Sequence, residues 1–212
     1  MPAPFKIVIP ARLGSSRLPG KPLLPIAGRP MIVHVCERAI AAGAAEIVVA
    51  VDDARIATAV AALPVTTMIT RTDHTSGTER LAEVAERLAW QDDIRVVNLQ
   101  GDEPLADPAL IAQLAAALAT PASASVATLA TPVADREEIF NPNAVKVVVD
   151  RYGHALYFSR APVPWDREGF AHHPPGLTTS FRHLRHIGMY AYTAGFLRRY
   201  TGWPRSPLED VE

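Results

Sequence analysis

The feature that most constrains this chain is a repeated exchange between two hydrophobic patterns, short runs of buried type and longer stretches at helical spacing. Phe5-Lys6-Ile7-Val8-Ile9 is rich in β-branched residues and stopped by Pro10, which predicts a strand feeding a loop. From Pro30 to Ala42 the residues Met31, Ile32, Val35, Cys36, Ala39 and Ile40 recur at helical spacing ahead of Gly43, so a helix follows that loop. The exchange continues with a strand at Glu46 to Val51, a helix from Asp53 to Leu63 before Pro64, and a strand at Thr66 to Thr70. Ser76 or Thr78 can cap a helix carrying Leu81, Val84, Ala85 and Leu88, and Arg95 to Leu99 forms the next strand. Asp107-Pro108 opens an alanine-rich helix ending near Ala119, followed by a strand at Ala124 to Ala130. Strands separated by helices join through right-handed crossovers, so the pattern predicts an α/β fold with a Rossmann-like, mostly parallel sheet covered on both faces. Ligands of such a sheet sit beyond the carboxyl ends of its strands.

Past residue 140 the texture changes. Ala144 to Asp150 and His154 to Phe158 flank Arg151-Tyr152-Gly153, which predicts a small antiparallel hairpin inserted into the parallel scheme. Pro162 to Ser180, with its prolines and adjacent His172 and His173, reads as a loop or lid, His183 to Tyr192 as a strand and Ala194 to Tyr200 as a short helix. Without further ligands, the two histidines read as loop residues rather than a metal pair. The expected organisation is a single domain over 1–212, with a change of texture between 1–135 and 140–200.

Composition narrows the class. The 212 residues are 49% hydrophobic, with 21 Lys+Arg against 22 Asp+Glu, a globular balance that excludes disorder and fibrous repeats. No run approaches the roughly 18 apolar residues of a membrane span, and the first residues lack a signal-peptide core, so a cytoplasmic protein without membrane partners is expected. The lone Cys36 agrees with a reducing compartment. A pI near 6.7 argues against nucleic acid, which demands a broad basic surface.

Charge is nevertheless uneven. Residues 1 to 36 hold Lys6, Arg12, Arg17, Lys21 and Arg29 but no Asp or Glu, which points to an anionic ligand, although Lys6 and Arg29 read better as ordinary solvated cations. Directly after the first strand, Pro10-Ala11-Arg12-Leu13-Gly14-Ser15-Ser16-Arg17-Leu18-Pro19-Gly20-Lys21-Pro22 gathers two glycines, two serines and three cations where free N–H groups can face an anion. Cations converging in a glycine loop repel one another unless an anion neutralises them, and a triphosphate fits that chemistry. The loop is not a Walker A sequence, because five residues separate Gly14 from Gly20 and Pro22 follows Lys21. No Gly-x-Gly-x-x-Gly is present, so dinucleotide binding lacks support.

A carboxylate stands at the ligand edge. Arg95 to Leu99 runs into Gln100-Gly101-Asp102-Glu103-Pro104, making Asp102 a candidate for Mg²⁺, which prefers hard oxygen ligands supplemented by substrate phosphates. A turn or capping role is the alternative for such an aspartate. Glu103 points elsewhere and reads as structural. Gln100 offers a donor and an acceptor suited to a pyrimidine edge. Arg160, just past a strand, can hold a carboxylate bidentately. His186 and Tyr190 lie four apart on a strand and share a face, though such residues are commonly packed structure.

These segments, read together, resemble the 3-deoxy-manno-octulosonate cytidylyltransferases, also called CMP-Kdo synthetases. Six motifs carry the resemblance in register along the chain: Pro10-Ala11-Arg12 through Arg17-Leu18-Pro19-Gly20-Lys21, Ser76-Gly77-Thr78-Glu79-Arg80, Gln100-Gly101-Asp102-Glu103-Pro104, Asn141-Pro142-Asn143-Ala144-Val145-Lys146, Tyr157-Phe158-Ser159-Arg160 and His186-Ile187-Gly188-Met189-Tyr190. The resemblance implies a nucleotidyltransferase-type fold and transfer of CMP from CTP to 3-deoxy-manno-octulosonate for lipopolysaccharide biosynthesis. It implies a metal-binding aspartate at Asp102, with Arg12, Lys21 and Asp102 catalytic and Arg12, Arg17 and Lys21 on the triphosphate. Cytosine or ribose contacts would come from Ser76, Gly77, Arg80 and Gln100, and sugar contacts from Gln100, Arg160, His186 and Tyr190. Within the single domain, 1–135 would serve mainly the nucleotide and 140–200 the acceptor or a lid, and a homodimer is also implied. The family's chains continue further, with a second metal-binding aspartate and further acceptor contacts, so the C-terminal part of the family fold is expected to be missing here. Activation of another sugar acid, such as an 8-amino relative or a sialic acid, and a nucleotide-binding module without turnover stay open as alternatives.

Overall fold

A computed structural model describes residues 4–14, 18–74, 76–118, 124–133, 135–171, 181–204 and 206–210. In chain order its elements begin with β1 (Lys6–Ala11), β2 (Pro25–Ile26), β3 (Arg29–Pro30), α1 (Met31–Ala41), β4 (Glu46–Val51), α2 (Ala54–Val60), β5 (Thr66–Ile69), α3 (Gly77–Arg87) and β6 (Arg95–Asn98). There follow α4 (Pro108–Ala117), β7 (Val126–Pro132), α5 (Arg136–Phe140), β8 (Lys146–Val149), β9 (Ala155–Ser159), β10 (Leu184–Thr193) and α6 (Ala194–Tyr200). They fall into two compact units, Met1–Ala127 with Met189–Trp203 and Thr128–Gly188 with Pro204–Glu212. No described helix is long and apolar enough to cross a membrane.

The first unit contains the parallel sheet that the alternation predicts. Its strands run in the order β5-β4-β1-β6, all parallel, with Lys6 beside Glu46 on one side and Val96 on the other. The last residues of β10 lie antiparallel to β6, pairing Tyr190 with Asn98 and Tyr192 with Val96. Ile7, Val8, Ile9, Val48 and Val49 are fully buried, as expected of strands covered on both faces. Helix α1 buries Ile32, Val35, Cys36 and Ala39, and α3 buries Leu81, Val84 and Ala85, the stripes read from their spacing. Between the two possible caps of α3, the structure selects Ser76, whose Oγ accepts Glu79 N–H at 3.2 Å. Asp107 caps α4 by accepting Ala109 N–H at 2.8 Å. Helix α2 is shorter than predicted, because Leu63 N–H turns back to the Val60 carbonyl at 2.9 Å and ends the helix before Pro64. Lys6 pairs with Glu46 at 2.6 Å and lies over the Trp90 ring, and Arg29 pairs with Glu37 at 2.5 Å, so both are neutralised by carboxylates of the protein itself.

The second unit is built around the predicted hairpin. β8 and β9 are antiparallel, with Lys146 opposite Ser159 and a register shift between Val148 and Val149. Gly153, at φ +84°, makes the turn, and Asp150 Oδ1 accepts the N–H groups of Tyr152 and His154 at 2.8 and 2.9 Å. Those backbone donors hold the Asp150 carboxyl below its usual pKa. The first residues of β10 extend this ladder on the other side of β8. Helix α5 and the two-residue ribbon β2–β3 are absent from the sequence reading. The helix did leave a signal, since Asp135 accepts Glu138 N–H at 2.8 Å in the spacing of a capping box.

Candidate active site

The loop after β1 is closed at its base by the backbone. Gly20 N–H donates to the Leu13 carbonyl at 3.0 Å, and Gly20, at φ +69°, turns the chain into the short helical turn Lys21–Leu23. Leu13 N–H donates to Asp52 Oδ1 at 2.9 Å, tying the loop to the end of β4 across 39 residues of sequence. Arg12, at the start of this loop, is exposed. Ser15, Ser16 and Arg17 lie outside the described residues, so the Arg17 assignment has no structural counterpart here.

At the end of β6 the chain passes Gly101 to reach Asp102. A Cβ on Gly101 would stand 2.8 Å from the Pro10 carbonyl oxygen, which is backbone and cannot move aside, so β1 and this turn approach one another closely enough to require glycine. Asp102 Oδ2 accepts a hydrogen bond from Lys21 Nζ at 2.5 Å, bringing together two residues 81 positions apart. Their side chains are 46% and 34% exposed, and an ion pair of this exposure contributes roughly 0.2–1 kcal/mol. A polyanionic ligand can therefore take Lys21 from Asp102 at little energetic cost. Glu103 behaves differently. Its Oε2 is buried with no hydrogen-bond partner among the described residues, and burial, with Asp102 beside it, raises its carboxyl pKa.

Beside this turn stands the start of α3. A Cβ at Gly77 would lie 3.5 Å from Pro10 Cγ, 3.8 Å from Gln100 Nε2 and 3.9 Å from Asn98 Nδ2, so the helix N-terminus, the strand end and the loop entrance are neighbours. Gln100 Nε2 donates to Asn98 Oδ1 at 3.0 Å, which fixes the orientation of its amide. Ser76, as the cap, and Gly77, as the first helical residue, stand at the positive end of the α3 dipole. Arg80 is 3% exposed, and its guanidinium donates to Thr70 Oγ1, which itself donates to the Val51 carbonyl at 3.0 Å. Burial lowers its pKa, Arg12 adds to that lowering, and the carboxylates of Asp52 and Glu83 oppose it. Arg80 thus stands behind this surface, in the packed interior.

Sequence reasoning missed two residues that organise the same surface. Asp52 anchors the loop through Leu13 and lies in the field of Arg80. Tyr192 shares side-chain hydrogen bonds with Thr78 on α3 and Asn98 on β6, and its phenol is pushed up to about 12, chiefly by burial. Neither signal is local, since an aspartate after a strand and a tyrosine in a strand are common.

The acceptor candidates divide between the two units. Tyr190, in the first, is half-buried and stacks on Tyr192 with ring centroids 5.8 Å apart. In the second, His186 Nε2 shares a hydrogen bond of 2.9 Å with Thr128 Oγ1, and the ring packs edge-on to Phe158 at 4.9 Å. Burial lowers its pKa and favours the neutral imidazole. Arg160 is exposed, with Nη1 donating to the Pro142 carbonyl at 2.8 Å. His172 and His173 fall outside the described residues. Among the described residues no three His, Cys, Asp or Glu side chains gather into a metal cage. A single exposed carboxylate such as Asp102 fits a cation that takes most of its other oxygens from substrate phosphates and water, as Mg²⁺ does.

Comparison with known proteins gives the family of the chain. A family model described as cytidylyltransferase matches residues 6–212. The chain is 65% identical over 212 residues to the 3-deoxy-manno-octulosonate cytidylyltransferase of Methylococcus capsulatus, covering 100% of this chain and 82% of that protein. It is 59% identical over 208 residues to the protein of the same name from Tolumonas auensis, covering 98% and 81%. The structure of CMP:2-keto-3-deoxy-manno-octonic acid synthetase complexed with CTP superposes at a TM-score of 0.87 and 44% identity, covering 99% of this chain and 82% of that one. The expected nucleotidyltransferase-type α/β fold is therefore the observed one. The chain belongs to the cytidylyltransferase family, in the group formed by the 3-deoxy-manno-octulosonate cytidylyltransferases.

Proposed function

We propose that this protein transfers the cytidylyl group of CTP to 3-deoxy-manno-octulosonate, releasing pyrophosphate and forming CMP-Kdo. The observation that carries the reading is the meeting of Lys21 and Asp102 at the carboxyl edge of the parallel sheet, beside the loop that opens after β1. A cation from a glycine loop and a carboxylate from a strand end are the two charges needed to hold a triphosphate and its metal.

In this reaction the anomeric hydroxyl oxygen bonds to the α-phosphorus, the bond from that phosphorus to the pyrophosphate oxygen breaks, and the hydroxyl proton is released. The protein has little covalent chemistry to perform and acts by alignment and charge neutralisation. Lys21 would leave Asp102 for the phosphates, joined by Arg12 and Arg17. Ser76, Gly77 and Gln100 would receive the cytidine, with Arg80 and Tyr192 bracing them from the interior. Arg160 would take the acceptor's carboxylate, and His186 and Tyr190 its hydroxyl groups. Mg²⁺ held by Asp102 and phosphate oxygens would neutralise charge on the triphosphate and polarise the α-phosphate. The product would serve lipopolysaccharide biosynthesis, made by a cytoplasmic homodimer.

Pyrophosphate release from CTP, Mg²⁺ and a panel of sugar acids tests the proposal. Turnover should be fastest with 3-deoxy-manno-octulosonate and slower with its 8-amino relative or a sialic acid. CTP binding without pyrophosphate release from any sugar acid would overturn it in favour of a nucleotide-binding module.

A further inference from the structure

The largest fully buried side chain among the described residues is a lysine. Lys146, at 0% exposure, sits at the first position of β8. Its ammonium donates to the carbonyls of Asn141 at 2.9 Å, Ala144 at 2.6 Å and Arg160 at 2.7 Å. An ammonium has three N–H donors, and burying one is unfavourable unless hydrogen bonds replace its hydration. Here three carbonyl dipoles converge on it. Two come from the turn that precedes β8, and the third comes from the residue just past β9.

That third carbonyl belongs to Arg160, whose side chain returns to the same turn, Nη1 donating to the Pro142 carbonyl at 2.8 Å. The turn is itself closed, with Ala144 N–H on the Asn141 carbonyl at 3.1 Å and Asn143 N–H on Asn141 Oδ1 at 2.9 Å. On the far side, Ala161 N–H donates to the buried Ser159 Oγ at 3.0 Å. The backbone of Arg160 is thus fixed by Lys146, its guanidinium leans on the turn that Lys146 gathers, and the next residue is fastened separately.

We propose that Lys146 is a positioning residue for the acceptor sugar acid, acting through Arg160. The inference rests on the reading that Arg160 receives the acceptor's carboxylate. Bidentate recognition of a carboxylate is directional, so a displacement of the Arg160 backbone of about 1 Å can reduce its effectiveness on the order of 10²-fold. A purely structural clamp would lower stability without separating the two substrates.

The test is a double-mutant cycle on the full chain with Lys146→Met and Arg160→Gln, reading KM for sugar acid, KM for CTP and Tm. Lys146→Met should raise the sugar-acid KM about tenfold, leave the CTP KM within about twofold, and add under about twofold once Arg160 is Gln. Equal factors in both backgrounds, or equal rises for both substrates, would overturn the inference. Should Lys146→Met fail to fold, the unaltered protein still decides through the ¹⁵N resonances of Lys146 Nζ and Arg160 Nε. Sugar acid should move both, with CTP alone moving neither. A response at Arg160 without one at Lys146 sinks the positioning role, whereas no response at Arg160 removes the underlying assignment of the carboxylate and the positioning role with it.

Discussion

The first unit is held by area and the second by polar fastening. Around β1 and β4 Ile7, Val8, Ile9, Val48 and Val49 are fully buried, and across the first unit the buried polar residues Thr70, His74, Arg80, Arg95 and Asn98 are far outnumbered by apolar ones. Around β8 and β9 the buried set includes Lys146, Ser159 and His183, with His183 Nε2 on the Pro164 carbonyl at 2.8 Å. Apolar burial is nearly isotropic and leaves strand ends free to carry charges that contribute little to folding. Directional hydrogen bonds leave no such freedom, because the residues that fasten the second unit also border the residue proposed to bind the acceptor. Function carried by exposed charges should therefore separate from stability in the first unit, whereas function in the second should be coupled to it.

The largest effect should come from Asp102→Asn. It should lower kcat on the order of 10²–10³-fold while leaving Tm within about 2 °C, because the ion pair it makes with Lys21 is exposed. A Tm loss comparable to that of a core variant would contradict the separation drawn for the first unit. Gly101→Ala comes next. Its new Cβ would meet the Pro10 carbonyl oxygen at 2.8 Å, so thermal denaturation should show a loss of about 1–3 kcal/mol together with weaker CTP use. Full stability in that variant would show that the end of β6 is not pinned against β1. In the second unit, Asp135→Ala removes the cap of α5 and should cost about 1 kcal/mol by denaturant titration, with the CTP KM unchanged.

The smallest effect is one of pH. Burial holds the His186 pKa below its ordinary 6.5, so between that lowered value and 6.5 the unfolded chain binds more protons than the folded one. Stability should rise with pH across this window and be lost as the pH falls through it. Comparing Tm at pH 7.5 and 5.5 in the parent and in His186→Phe checks this. The variant should show a smaller loss on acidification, and an identical loss would remove His186 from the account.

Much of this was legible from the chain alone wherever the determinant was local. The strand Phe5 to Ile9, the stripe Leu81, Val84 and Ala85, and the cap at Asp107 are set within a few residues, and the structure places strands and helices there, choosing Ser76 over Thr78 as the cap of α3. The hairpin was legible because Gly153 and Asp150 mark a turn between two apolar runs. Helix α5 was harder to see, since it is five residues long and its capping aspartate is not followed by a sustained periodic stripe. The ribbon β2–β3 has two residues per strand and leaves no alternation to read. Arg80 shows a different limit. Its place in a motif is visible, but its burial against Thr70 depends on where β5 falls beside α3.

The amino-acid order by itself determined the alternation of strand and helix and the parallel sense of the first unit's sheet, because backbone geometry and side-chain spacing act over one or two turns. The tertiary structure alone decided which charges meet: Lys21 with Asp102, Asp52 with the Leu13 amide, and Lys146 with the Arg160 carbonyl. Those partnerships join residues that only crossovers and hairpin closure bring together, and the energy of each is too small and too directional to leave a periodic trace in the chain.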